Sequence, residues 1–242
     1  MAILDDLLGH EHVFAQEALT FIDEDKPLVE ELLELVFASM SGPYPIEHPA
    51  KQSLSRLFTD SCGAVEQSFI STLRAQPRLG WASMRLAAES LKDLDCIIRA
   101  PELEAAWFKV LQPDMAAHEA AVAEFRKARR KVPSSEVTRM CSATMKLANI
   151  LGAHPNASSM AILGVARSQR DGVVVLPLRA TQPDLIAWHI RKQLIHGYHV
   201  AITLADFRLA YMSGDAKERL LGRRRAFDEH MVPFIRANVR RV

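Results

Sequence analysis

Apolar residues recur at every third or fourth position along most of this chain, and this spacing constrains the fold more than any other feature of the sequence. The pattern is clearest between residues 51 and 75, where one helical face carries Leu54, Leu57, Phe58, Val65, Phe69, Ile70 and Leu73. Alternating apolar and polar runs, which are typical of half-buried strands, are nearly absent, and the 242 residues include only 10 glycines. The sequence therefore predicts an all-α fold and argues against doubly wound nucleotide-binding folds.

Prolines divide this helical pattern into segments. Pro43, Pro45 and Pro49 lie close together, and no regular helix continues through them because proline lacks the backbone donor and restricts the residue before it. We interpret them as the boundary between an acidic N-terminal helical pair in residues 1–42 and a main bundle in residues 51–242. Both parts are expected to form one helical domain, a bundle of eight or nine helices.

Residues 161–178 differ from the rest of the chain in their turn chemistry. Two β-prone runs flank the sequence Arg170, Asp171 and Gly172. Asp-Gly is a favoured pair in two-residue hairpin turns because glycine readily adopts the positive φ that these turns require. The sequence therefore predicts one short β-hairpin within an otherwise helical fold.

The net charge of +1 conceals a strong asymmetry along the chain. Residues 1–50 contain eleven acids and a single base, Lys26, whereas basic residues cluster at 126–131 and again at 223–241. Solvated helix ends, where cations complement the helix dipole, are favoured as the explanation of these clusters over a site for a polyanion such as RNA. A third explanation is that the acidic N-terminal segment packs on the basic remainder.

The cysteines and the N-terminal residues indicate the cellular compartment in which we expect the protein. Cys62, Cys96 and Cys141 are odd in number and have no Cys-x-x-Cys spacing, which indicates a reducing compartment and excludes a structural zinc site made of cysteines. The N-terminus has no basic segment followed by an apolar stretch, and nowhere do about 18 apolar residues follow one another. We therefore expect a cytoplasmic protein with no membrane-spanning segment.

The sequence offers little for cofactor or metal chemistry. It contains no P-loop, no G-x-G-x-x-G and no G-x-S-x-G motif. Among the 9 histidines, His196 and His199 are one helical turn apart and could share an ion, but no spacing supplies the remaining ligands. We expect no metal and no cofactor, and we interpret the cysteines as buried, inert thiols.

One local string suggests an enzyme. Arg191, His196 and Tyr198 are spaced as Arg, four residues, His, one residue, Tyr. This spacing resembles the motif of HEPN-domain ribonucleases, and the resemblance implies metal-independent RNA cleavage at a site shared by two protomers, with Arg191, His196 and Tyr198 as catalytic residues. The chemistry is coherent because histidine titrates near neutrality and a guanidinium binds phosphate. In a straight helix, however, five positions separate the arginine and the histidine by roughly 140°, so convergence requires a bend or a partner subunit.

A second resemblance covers about half of the chain. The pattern is an Arg and a Glu four residues apart on a helix, a proline turn before a tryptophan-containing helix, and a helix that ends in His-Pro. Its positions in this sequence are Arg85, Glu89, Pro101, Trp107, His154 and Pro155. The pattern resembles a bacterial family of all-helical proteins described only as a domain of unknown function. This resemblance implies a helical fold and no particular activity.

Arg85 and Glu89 are spaced to pair on one helical face, and His154 at a helix end is a plausible third member of the cluster. Such a cluster could bind an anionic ligand in a cleft or serve acid/base chemistry, but more often it merely holds neighbouring helices in register. The sequence therefore leaves two functions open. The first is a helical binding module for an unidentified protein or small-molecule ligand, with a role in defence or regulation. The alternative is a HEPN-like RNA endonuclease that acts as a homodimer.

Overall fold

A computed structural model describes residues 12–41, 50–110, 114–153, 168–170, 173–175 and 183–239. This part of the chain is nearly all helical, as the apolar spacing predicts. Its helices are α1 (residues 12–20), α2 (Lys26–Met40), α3 (Lys51–Leu73), α4 (Pro77–Arg99), α5 (Leu103–Lys109), α6 (Met115–Arg129), α7 (Glu136–Ala148), α8 (Pro183–Ala210) and α9 (Gly214–Val239). A π-helical turn, Asn149–Ala153, continues α7.

Several helix ends follow from local sequence chemistry. Pro27 and Pro77 lie in the first turns of α2 and α4, where a missing backbone donor costs nothing. The side chains of Asp114 and Ser135 accept backbone hydrogen bonds at the starts of α6 and α7. The last helix continues through Pro233 to Val239, so this proline does not end it.

Two short strands are the exception to the helical pattern. Ser168–Arg170 and Val173–Val175 pair antiparallel, with Arg170 opposite Val173. Both strands lie inside the range in which the sequence predicts a hairpin. The two residues between them and the flanking residues lie outside the described part of the chain, so the hairpin as a whole, with its Asp-Gly turn, stays a prediction.

The core is one connected cluster of buried apolar side chains to which every helix from α1 to α9 contributes. The most extensive helix contact in the described residues is between α3 and α4, and Gly80 of α4 lies at this contact. A Cβ atom on this glycine would lie 2.2 Å from Oγ1 of Thr72 and 2.7 Å from Nε2 of Gln193. The lack of a side chain therefore sets how closely α3, α4 and α8 approach one another.

The acidic N-terminal helices pack on the basic C-terminal helices. Asp25, at the start of α2, pairs with Arg191 of α8, and Glu34 of α2 pairs with Arg223 of α9 at 3.3 Å. Glu31 of α2 also contacts His230, with 2.9 Å between the imidazole Nδ1 and the carboxylate. These contacts support the third explanation of the charge asymmetry. The proline-rich boundary at 42–49 lies outside the described residues.

In the part of the chain that the structure describes, no helix combines the length and the hydropathy needed to cross a membrane. All three cysteines are buried and free, as the sequence predicts. Burial raises the pKa of the Cys62 thiol to about 12, and burial does the same for Cys141. Both thiols are therefore protonated at neutral pH and poor nucleophiles.

Candidate functional site

A cleft of about 460 Å³ lies between α4, α6 and α7, and we call it the cationic cleft. Its lining residues are Arg85, Glu89, Lys92, Cys96, Arg126, Arg129, Arg130, Val132, Ser134, Thr138 and Met145. Five of them are basic, and a single one is acidic. The cleft therefore carries a strong positive charge in a chain whose overall net charge is +1.

Helix α4 supplies one wall of the cationic cleft. Arg85, Glu89 and Lys92 occupy positions i, i+4 and i+7, so they lie on one face of the helix. The Nζ atom of Lys92 donates a hydrogen bond of 3.0 Å to Oγ of Ser142 on α7, which holds this cation against the neighbouring helix. The carboxylate of Glu89 forms no ion pair with any residue that the structure describes.

Helix α6 supplies the opposite wall with Arg126, Arg129 and Arg130. The guanidinium of Arg129 pairs with the carboxylate of Asp93 on α4, and both side chains are largely buried. Burial raises the pKa of Asp93 to about 6, against the lowering effect of the Arg129 charge. This pair joins α6 to α4 at the cleft.

The two other α6 arginines differ from Arg129 in their surroundings. Arg126 and Arg130 are exposed, and within the described residues neither forms an ion pair. Their guanidinium groups can therefore bind an external anion without first breaking an internal contact.

A polar network on Asp95 holds α7 in place beside the cleft. Its Oδ2 atom accepts hydrogen bonds from Arg99, from the α7 N-cap Ser135 at 2.8 Å and from Thr138 at 3.0 Å. Arg99 also donates to the backbone carbonyl of Pro133 at 2.6 Å. The connection between α6 and α7 is thus bound to α4, and the cleft has a defined rim.

The structure brings together two features that the sequence presents separately. Arg85 and Glu89 line the same cleft as the basic residues at 126–130, which the sequence places about 40 positions away. His154, the third predicted member of the ligand cluster, lies outside the described residues.

Sequence reasoning missed Lys92 and Asp93. Lys92 could have been found, because Arg85, Glu89 and Lys92 continue one polar stripe on a helix whose other faces are apolar. The pairing of Asp93 with Arg129 has no local signal, since the two residues are 36 positions apart.

Arg191 is held on the N-terminal side of α8. Its Nε atom donates to Oδ2 of the buried Asp25 at 2.7 Å, and a second guanidinium nitrogen lies 3.6 Å from the carboxylate of Glu24. These contacts anchor α8 to the connection between α1 and α2. They give Arg191 a structural role within one chain, and its catalytic role stays a prediction.

His196 contacts a different set of helices. Its Nδ1 atom shares a hydrogen bond of 3.0 Å with Oγ1 of Thr144 on α7, and its ring packs edge-on to Trp81 of α4, with 6.1 Å between the ring centroids. Burial, with smaller contributions from His199 and Lys192, lowers the pKa of His196 to about 4. The imidazole is therefore neutral at pH 7, and its contacts are on a different side of α8 from those of Arg191.

Tyr198 belongs to a third set of contacts. Its hydroxyl donates a hydrogen bond of 2.6 Å to Oδ1 of Asp228, whose other oxygen pairs with Arg224 at 2.6 Å. Burial and this hydrogen bond raise the pKa of Tyr198 to about 12. Within one described chain, the three residues of the HEPN-like string therefore contact three different groups of neighbours.

Among the described residues, no group of three or more His, Cys, Asp or Glu side chains is arranged to hold a metal ion. Comparison of the chain with protein-family models, with curated proteins and with solved structures finds no match. The two family resemblances of the sequence therefore stay predictions.

Proposed function

We propose that this protein is a binding module for a small anionic ligand that carries phosphate, and that the ligand occupies the cationic cleft. The observation that carries the proposal is the convergence of five basic side chains from α4 and α6 on a single cleft with one lining carboxylate. Like charges held close together repel one another, and a bound anion relieves that repulsion. The cleft is therefore suited to an anion more than to a neutral or cationic ligand.

Four of the five cations are arginines, namely Arg85, Arg126, Arg129 and Arg130. Guanidinium groups bind phosphate through paired, charge-assisted hydrogen bonds and are less strongly hydrated than ammonium groups. In the proposed complex, the exposed Arg126 and Arg130 contact the ligand first, while Arg129 stays paired with Asp93.

The size of the cleft limits the ligand. A volume of about 460 Å³ lies in the range of small-molecule pockets, which span about 300 to 1,000 Å³. Val132 and Met145 add apolar lining at the α7 side of the cleft. These residues suit a compact phosphate ester with some apolar surface.

Pyrophosphate is the probe for this proposal because it carries the charge and hydrogen-bond acceptors without further chemistry. We expect the double variant Arg126→Glu with Arg130→Glu to lower pyrophosphate affinity about 10- to 100-fold, since each lost contact is a charge-assisted hydrogen bond. Both positions are exposed, so the fold tolerates the change. Isothermal titration calorimetry at physiological ionic strength measures the affinity.

The matched control is Arg225→Glu with Arg236→Glu, which changes the net charge equally at exposed positions of α9 outside the cleft. We expect this control to change affinity less than about threefold, because screened charges at a distance contribute little. Equal losses in both double variants would mean that general surface charge attracts the anion. Undetectable pyrophosphate binding to the unmodified protein would also contradict the proposal.

The ribonuclease hypothesis keeps a separate test. It requires His196 to exchange a proton during RNA cleavage. If it is correct, the purified protein cleaves single-stranded RNA and His196→Ala abolishes cleavage. Unchanged cleavage by the variant would assign the activity elsewhere, and no cleavage by the unmodified protein would leave the binding module as the function.

A further inference from the structure

A second cleft, of about 630 Å³, lies between α7 and α8, and we call it the α7/α8 cleft. Its α7 lining residues are Glu136, Val137, Met140, Ala143 and Thr144. At 100° per residue, these positions face away from Thr138 and Met145, the α7 residues of the cationic cleft. The two clefts therefore lie on opposite faces of α7 and present separate surfaces.

The walls of the α7/α8 cleft are mainly apolar. Val137 and Met140 of α7 face Ile202 and Phe207 of α8 across it. One end is closed by the hydrogen bond between Thr144 and His196. An apolar body of moderate size can therefore lie between the two helices with its polar end directed away from this closed end.

The charge of this cleft is opposite to that of the cationic cleft. Among the described residues, its lining includes two carboxylates, Glu136 and Asp206, and no lysine or arginine. Burial lowers the pKa values of His196 and His199, so both imidazoles are neutral at pH 7. A ligand in this cleft therefore meets negative charge and apolar surface together.

The two carboxylates are not equivalent. Asp206 forms two contacts with Arg224, at 2.6 Å and 3.2 Å, which neutralise most of its charge. Glu136 is exposed in the first turn of α7 and forms no ion pair with any described residue. The positive end of the α7 dipole offsets part of its charge. Glu136 is the group that can attract a cation, and the attraction is moderate.

We propose that the α7/α8 cleft binds a small organic cation whose ammonium group lies beside Glu136 and whose apolar body packs between Met140 and Phe207. The inference is independent of anion binding at the other cleft because the two sites have no described lining residue in common.

Three probes of equal length test the charge preference: phenylbutylamine, phenylbutanol and phenylbutyrate. Each carries a phenyl ring on a four-carbon chain, and the three differ in the charge of the end group. We expect the amine to bind about three- to tenfold more tightly than the alcohol, because its ammonium group gains one exposed ion pair with Glu136. The carboxylate should bind most weakly because Glu136 repels it. Titrations at pH 7 followed by calorimetry give the three affinities.

Two variants locate the site. Glu136→Gln should remove the preference for the amine over the alcohol, whereas Glu119→Gln, at an exposed position of α6, should leave it unchanged. Ala143→Trp should fill the cleft and lower the affinity of all three probes at least about tenfold, whereas Ala226→Trp on α9 should not. Positions 143 and 226 are both exposed, and circular dichroism verifies the helical fold of each variant.

Three results would overturn the proposal. They are binding of phenylbutyrate as tightly as the amine, undiminished binding to a folded Ala143→Trp variant, and no binding of any probe. If Ala143→Trp does not fold, Glu136→Gln still tests the proposal. Glu136 is exposed, and its replacement by glutamine removes a charge and adds no volume.

Discussion

The indole Nε1 of Trp81 donates a hydrogen bond of 2.9 Å to Nδ1 of His189, and both side chains are fully buried. The bond joins α4 to α8 across the core. Since Nδ1 accepts this hydrogen bond, a neutral His189 carries its own proton on Nε2. Buried polar groups stabilise a core only when they are paired, so the two residues depend on each other.

Replacing Trp81 with phenylalanine should therefore destabilise the fold. The substitution removes the donor to His189 and leaves a small cavity, and we expect a loss of about 3 kcal/mol in the free energy of unfolding. The control is Trp188→Phe on α8, where the indole is 39% exposed and should cost less than about 1 kcal/mol. Urea denaturation followed by circular dichroism measures the free energy of unfolding of both variants. Equal losses would show that the hydrogen bond between Trp81 and His189 does not stabilise the fold.

Gly80 offers a test of the close approach of α3 and α4. In Gly80→Ala, the new methyl group would lie 2.7 Å from the backbone oxygen of Ser68 as well as 2.2 Å from Oγ1 of Thr72, so the helices must separate. We expect a loss of about 2 to 3 kcal/mol in the free energy of unfolding.

Gly63→Ala is the matched control for this substitution because Gly63 is in the interior of α3 and a Cβ there meets nothing within 4 Å. This control should stabilise the protein by about 0.5 to 1 kcal/mol through the higher helix propensity of alanine. Thermal unfolding of the two variants should therefore shift the midpoint in opposite directions. An unchanged or higher midpoint for Gly80→Ala would show that the α3 and α4 contact is looser than described.

His196 makes the stability of the fold depend on pH. Its folded pKa of about 4 lies below the unfolded value of about 6.5. The unfolded chain therefore takes up the proton first as the pH falls, and stability is lost between pH 6.5 and 4. We expect the buried imidazole of His196 to lower the free energy of unfolding by on the order of 2 to 3 kcal/mol as the pH falls over that interval.

Asp93 acts in the opposite direction, because its folded pKa is raised to about 6 and its protonation favours the folded state as the pH falls. The comparison that isolates the histidine is therefore between the unmodified protein and His196→Gln, in which the Asp93 contribution is the same. The unmodified protein should lose more stability than the variant between pH 7 and pH 4.5 in urea titrations. Parallel pH profiles would contradict a buried, neutral imidazole.

The candidate site shows how far sequence reasoning reaches. The position of Arg85 and Glu89 on one face of α4 was predictable because residues four apart share one face of a helix, although Glu89 forms no ion pair with any described residue. The basic cluster at 126–131 was visible as well, but as an isolated feature of another segment. That both line one cleft depends on where α6 lies relative to α4, and the Asp93 and Arg129 pair that joins the two helices links residues 36 positions apart.

The HEPN-like string illustrates the same limit. Its residue spacing is a property of the sequence, but the partners of Arg191 and His196 are not. The arginine contacts Asp25, which is 166 positions away, and the histidine contacts Thr144, which is 52 positions away.

The sequence by itself determined the helical class of this protein, the caps of α6 and α7, and the proline positions in the first turns of α2 and α4. These properties depend on interactions within a few residues of the chain, and helical periodicity encodes them directly. The tertiary structure alone decided that cations of α4 and α6 share a cleft, that α7 separates this cleft from one with carboxylates and apolar walls, and that Trp81 pairs with His189. Each of these relationships depends on how helices cross and how closely they approach, and residues distant in sequence set those distances.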